Sequence, residues 1–170
     1  APTDLSHLHP FRQLKIFDGI ARGLSFLHSM NIPHLDLKPR NILFEASTDT
    51  VKLTDFGWKK FESELQSGDL SLKDRLPWMA PERMEGSSSQ HPSIELDKAS
   101  DVFSFYVIIW EILTRKEPHE GKSPETIVRE VRDEQARLQF PDLSAMSVHG
   151  RRSLGEDGDL TRMKSIAIMC

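Results

Sequence analysis

The chain has 170 residues, one cysteine (Cys170) and a formal net charge of −4. That length carries one domain with a sizeable core. The acidic balance gives no support to nucleic-acid binding, which favours a clustered basic surface. Apolar runs such as Val107-Ile108-Ile109-Trp110 are far too short to span a bilayer. A single thiol excludes an intrachain disulfide and fits a reducing, cytoplasmic setting.

The first ten residues are polar and hold a His7-x-His9 pair. No acid or cysteine stands at a familiar ligand spacing from it, so it reads as a solvated lead-in rather than a metal site. Phe11 to Met30 then reads as an amphipathic helix. Leu14, Phe17, Ile20 or Ala21, Leu24 and Leu27 recur at steps of three and four, with Arg12, Lys15, Asp18 and Arg22 mostly opposite. Gly19 and Gly23 on this helix read as packing positions. Asn31 and Pro33 end it.

Ile42-Leu43-Phe44 and Val51-Lys52-Leu53-Thr54 flank a polar, turn-like stretch and predict a β-hairpin. Residues 58–79 are polar and mixed in charge, with Ser63, Ser67 and Ser71, and read as a loop. A second exposed loop is expected around Ser87-Ser88-Ser89. Ser100 to Thr114 is apolar on nearly every side and predicts a helix buried in the centre of the domain. Ser123-Pro124-Glu125 supplies an N-cap, a proline at the first helical position and an acid in the first turn, predicting a helix to about Arg137. Residues 148–159 read as a loop, and Leu160 to Cys170 as the start of another helix.

Chemistry concentrates in His34-Leu35-Asp36-Leu37-Lys38-Pro39-Arg40-Asn41, which sets an acid, a cation and an amide in one short loop. Asp55-Phe56-Gly57 follows, and later Ala80-Pro81-Glu82. Each tripeptide is weak alone. In this order they resemble the catalytic loop, metal loop and activation-segment end of a protein kinase. Asp101-Val102-Phe103-Ser104-Phe105 and Trp110-Glu111-Ile112-Leu113-Thr114 extend the likeness over essentially the whole chain. The resemblance is to tyrosine-kinase-like serine/threonine kinases. Phe26-Leu27-His28-Ser29, His34 to Pro39 and Ile109 to Pro118 look like the receptor-interacting protein kinases in particular.

The resemblance implies an α+β protein-kinase-like fold, with a mainly helical C-lobe carrying short β-hairpins. It implies transfer of the ATP γ-phosphate to serine or threonine hydroxyls of protein substrates in signalling, with adaptor or kinase partners. Asp36 would be the base and Lys38 would reach the γ-phosphate. Asn41 and Asp55 are hard oxygen donors that would hold Mg²⁺. Leu43 would lie under the adenine, and Asp101, before the buried helix, would hydrogen-bond the catalytic-loop backbone. His34 reads as a hydrogen-bonded core residue rather than a catalyst.

Four departures qualify that expectation. No glycine-rich loop, β3 lysine or partner glutamate precedes the catalytic loop. Residues 1–170 therefore read as a C-lobe piece of a kinase domain, truncated at both ends, with the N-lobe absent and the isolated chain inactive. Leu35 stands where most kinases carry an arginine that grips a loop phosphate. Asp74-Arg75 stand where serine/threonine kinases carry Gly-Thr, and Arg75 weighs against ordinary substrate docking. Tyr106 replaces a glycine of the buried helix. The alternative these departures favour is a pseudokinase or scaffold acting by protein binding.

Overall fold

The structure is a computed structural model that describes residues 10–45, 47–56, 74–84 and 93–141. Helix α1 spans Pro10–Ser29, strand β1 Ile42–Glu45, strand β2 Thr50–Leu53, helix α2 Ile94–Thr114 and the short helix α3 Pro124–Val128. Single 3₁₀ turns lie at Pro39–Asn41, Leu76–Trp78 and Pro81–Arg83. A π-helical turn at Arg129–Asp133 continues α3. The architecture is α+β and mainly helical, with one hairpin among the described residues where short hairpins were expected. The readings at His7, His9, Ser63, Ser67, Ser71 and residues 148–170 lie outside the described residues.

Helix α1 buries Ile16, Phe17, Ile20, Leu24 and Leu27. The apolar stripe thus runs through Ile16 rather than Leu14, which is only half-buried. Asn31 stops the helix by taking φ 58°, a left-handed conformation that asparagine tolerates better than most residues.

Helix α2 is the central column. Phe105, Val107, Ile108, Ile109, Trp110, Ile112 and Leu113 are buried around its circumference, and Phe105, Ile108, Ile109, Ile112 and Leu113 form one cluster with α1 and Leu37. Each such side chain contributes about 2 kcal/mol on burial. The helix begins six residues before the expected Ser100. Its start is a sequence signal hidden among charges: Ser93 accepts the N–H of Leu96, with Glu95 and Asp97 in the first turn. Asp101 therefore lies within the helix, not before it. Arg115, at φ 57°, closes the other end with its N–H on the Glu111 carbonyl.

The hairpin pairs antiparallel, with Ile42 opposite Leu53 and Glu45 opposite Thr50. It lies on α1 at the two glycines. A Cβ on Gly19 would stand 2.5 Å from Val51 Cβ, and one on Gly23 2.8 Å from Leu53 Cδ1. The missing side chains are what let the strand approach the helix.

The expected helix to Arg137 stops earlier. Past Asp133, residues 137–140 turn back along α2 because its side chains bind their backbone. The Tyr106 hydroxyl donates to the Leu138 carbonyl, and Trp110 Nε1 donates to that of Gln139 at 2.8 Å. Arg137 stacks over the Phe103 ring at 5.4 Å. Tyr106 thus has a partner that a glycine in its place would lack. A second apolar cluster of Leu76, Met79, Ile127 and Val131 anchors residues 74–84 on α3 and the π-helical turn.

Candidate active site

Between α1 and β1 the chain must present the 34–41 loop in one conformation, and a buried carboxylate does this. Asp101 accepts the backbone N–H of His34 on Oδ2 and of Leu35 on Oδ1, each at 2.7 Å. Its Oδ2 also meets His28 Nε2 at 2.7 Å. Leu35 is held at φ 65°, a region costly for a residue with a Cβ unless its surroundings impose it. Asp101 and Lys38 flank the result, which points Asp36 into a concavity lined by Leu35, Asp36, Lys38, Arg75, Trp78 and Ser104 among others.

The Asp36 carboxylate is engaged at both oxygens. Asn41 Nδ2 donates to Oδ2 at 3.0 Å and to the Asp36 carbonyl at 2.7 Å. Oδ1 has two cations beside it, Lys38 Nζ at 3.3 Å and Arg75 Nε at 3.2 Å. All three charged side chains are largely buried, between 9% and 14% exposed, so these contacts are screened less than surface ion pairs.

His34 lies wholly buried behind the loop. Its Nδ1 accepts the Asp36 N–H at 3.4 Å, and its ring meets Phe56 edge-on at 6.3 Å between centroids. Burial holds its imidazole below the ordinary histidine value, against the opposing pull of the Asp101 and Asp36 carboxylates. A neutral, buried ring is a packing element, as the sequence suggested.

Asn41 is buried in the 3₁₀ turn. Its carbonyl accepts the Thr54 N–H at 2.9 Å and the Thr54 hydroxyl at 3.3 Å. The hairpin register therefore brings the start of β1 beside the end of β2, and Asp55 follows at once, exposed and at φ 58°. Since Asn41 spends its amide N–H groups on Asp36, its Oδ1 is the atom left for a cation. An amide oxygen and an exposed carboxylate from adjacent chain ends suit Mg²⁺, which takes few protein ligands and completes its shell with phosphate and water. No cluster of three or more His, Cys, Asp or Glu able to hold a metal occurs among the described residues.

Leu43 is 54% exposed on the outer face of β1, opposite Lys52. It does not line the concavity at Asp36, and neither do Asn41 and Asp55. The predicted residues thus fall into two groups: Asp36, Lys38 and Asn41 in direct contact, and Leu43 and Asp55 along the hairpin.

The segment after Arg75 is tied to α2. Trp78 Nε1 donates to Glu111 Oε2 at 2.9 Å and the Trp78 carbonyl accepts the Ser104 hydroxyl at 2.7 Å. Burial pushes the Glu111 carboxyl up, while the Trp78 indole acts the other way. Glu82 accepts the Ser100 hydroxyl at 2.9 Å, and Arg83 Nη1 pairs with Asp97 at 2.8 Å. The roles of Trp78, Ser104, Ser100 and Asp97 escaped sequence reading. Trp78 and Glu111 are a donor and an acceptor inside apolar stretches, which is the one signal that could have paired them.

Residues 4–150 match the family model described as protein tyrosine and serine/threonine kinase. The chain belongs to the protein kinase family. Its kinase relatives include mitogen-activated protein kinase kinase kinase 13-A of Xenopus laevis, 35% identical over 73% of this chain and 12% of that protein. Serine/threonine-protein kinase CTR1 of Arabidopsis thaliana is 33% identical over 76% of this chain and 15% of its own length. Serine/threonine-protein kinase mos of Patiria pectinifera is 31% identical over 81% of this chain and 38% of its own. The chain spans well under half the length of each. No helix among the described residues is long and apolar enough to cross a membrane.

Proposed function

We propose that these residues form the catalytic half of a serine/threonine protein kinase that acts in signalling in the cytoplasm, with ATP as phosphate donor and protein hydroxyls as acceptors. The observation that carries this reading is the Asp36 carboxylate, fixed by Asn41 and Lys38 at a concavity rather than buried without access. In the reaction the acceptor oxygen forms a bond to the γ-phosphorus while the bond from phosphorus to the β,γ-bridging oxygen breaks. The hydroxyl proton passes to Asp36, and ADP leaves. Asp36 chiefly orients the hydroxyl, because in a loose transition state the proton moves late. Lys38 neutralises charge on the transferred group. Asn41 and Asp55 would hold Mg²⁺, which supplies charge neutralisation at the phosphates. Leu43, apolar and exposed on the hairpin, offers a surface for the adenine.

Within the family we place the chain near the receptor-interacting protein kinases, on the segments 26–29, 34–39 and 109–118. We read it as the large lobe of a kinase domain, active only together with a lobe that covers ATP.

The test is Asp55→Asn in the full-length protein. Turnover is expected to fall by about 10²-fold or more, while the melting temperature, set by buried residues, moves little. Undiminished turnover would favour a second reading, a kinase-fold scaffold acting by protein binding. One observation favours that second reading: Arg75 stands against the base.

A further inference from the structure

We propose that Arg75 is a positioning residue that closes the acceptor side of Asp36, so that a protein hydroxyl reaches the base only after the arginine side chain has swung away. The inference rests on the phosphotransfer reading, in which Asp36 must receive a hydrogen bond from the acceptor.

A carboxylate offers about four lone-pair directions over two oxygens. Asn41 takes one on Oδ2. Lys38 and Arg75 stand beside Oδ1 as ion-pair partners, at 3.3 and 3.2 Å, and crowd it by charge and bulk. Lys38 belongs to the loop itself and is the phosphate-side cation in the proposed reaction. Arg75 lines the same concavity, on a segment that arrives from elsewhere in the chain. Its guanidinium is a planar, rigid fork, so it occupies a fixed plane beside the carboxylate. It is also 9% exposed, which makes it part of the wall and not a surface fringe.

The backbone that carries Arg75 is pinned. Leu76, the next residue, is buried against Ile127 and Val131. Trp78 is held by Glu111 through its indole and by Ser104 through its carbonyl. The Trp78 N–H closes the turn on the Arg75 carbonyl at 3.0 Å. Opening therefore takes place by side-chain rotation, with the segment left in place. A short neutral side chain at 75 would leave Oδ1 to Lys38 and to the acceptor.

The experiment has two arms on the full-length protein, comparing parent, Arg75→Thr and Arg75→Lys. The first is carbodiimide-driven coupling of a small amine to carboxylates, mapped by mass spectrometry. Asp36 is expected to label about fivefold faster or more in Arg75→Thr, and at close to the parent rate in Arg75→Lys, since exposure and ion pairing set access. Asp101, 1% exposed, reports the fold and stays unlabelled. Should Arg75→Thr lose that protection, Arg75→Gln, which keeps most of the side-chain length, is read in its place. Equal labelling of Asp36 with Asp101 protected overturns the proposal.

The second arm is steady-state transfer to a serine peptide. Arg75→Thr is expected to lower KM for the peptide about fivefold or more with KM for ATP unchanged, the pattern of an obstacle to acceptor binding. An unchanged peptide KM overturns the proposal. Faster Asp36 labelling with no transfer by any of the proteins would instead refute the phosphotransfer reading and leave the shielding by Arg75 standing.

Discussion

The carboxylate of Asp101 and the backbone of Leu35, 66 residues apart in the chain, meet in a 2.7 Å hydrogen bond that holds Leu35 at φ 65°. One buried residue of the central helix thereby sets the conformation of the loop that presents Asp36. The same carboxylate accepts from His34 N and meets His28, so it anchors both the loop and the end of α1.

Asp101→Asn is expected to cost about 3 kcal/mol, because an amide has one acceptor oxygen for two buried N–H groups and turns donors toward the others. Urea unfolding of parent and variant measures it. A loss below about 1 kcal/mol would mean that the loop holds its shape without this carboxylate.

Gly19→Ala opposes two effects. Alanine gains about 1 kcal/mol of helix propensity. Its methyl would stand 2.5 Å from Val51 Cβ, an atom fixed by the strand, and overpacking of that kind costs about 1–3 kcal/mol. The clash wins, and thermal unfolding should show a net destabilisation. Gly23→Ala should be milder, since the nearest atom is the Cδ1 end of Leu53, which can rotate aside.

The buried His34 ring makes stability depend on pH. Its folded value lies below the ordinary one because burial disfavours the charged form. Its contribution is therefore present above the unfolded value of about 6.5 and is lost as pH falls through the lower folded value. Denaturant midpoints at pH 7.5 and 5.5 should show the parent weakening more on acidification than His34→Leu. His119, also held low by burial and by Lys122, keeps part of the slope in the variant. Equal slopes would show that His34 is not neutral and buried in the folded chain.

Helix α1 and the hairpin were legible because one physical signal dominates each. An apolar stripe at steps of three and four marks the helix, and two apolar runs around a polar turn mark the strands. The start of α2 was not legible from hydrophobicity. Its first turns carry Glu95, Asp97 and Lys98, and only the Ser93 cap announces them. The end of α3 was missed because Arg137, a good helix former, is drawn off by the Phe103 ring and by carbonyls at Val131 and Ala136. At the site, Asp36, Lys38 and Asn41 lie close together in sequence and their cluster could be read there. That Arg75 reaches Asp36 depends on the packing of residues 74–84 on α3, which spacing alone does not reveal.

The measurement that bears most directly on the proposed activity is phosphate transfer from ATP to a serine peptide by the full-length protein, comparing parent with Asp36→Asn. Asparagine keeps the size of the side chain but cannot accept the proton. Turnover is expected to fall by about 10²- to 10⁴-fold, with ATP still bound and the melting temperature close to that of the parent. Turnover equal to the parent's in Asp36→Asn would contradict the assignment of Asp36 as the base and, with it, the reading of this loop as a catalytic one.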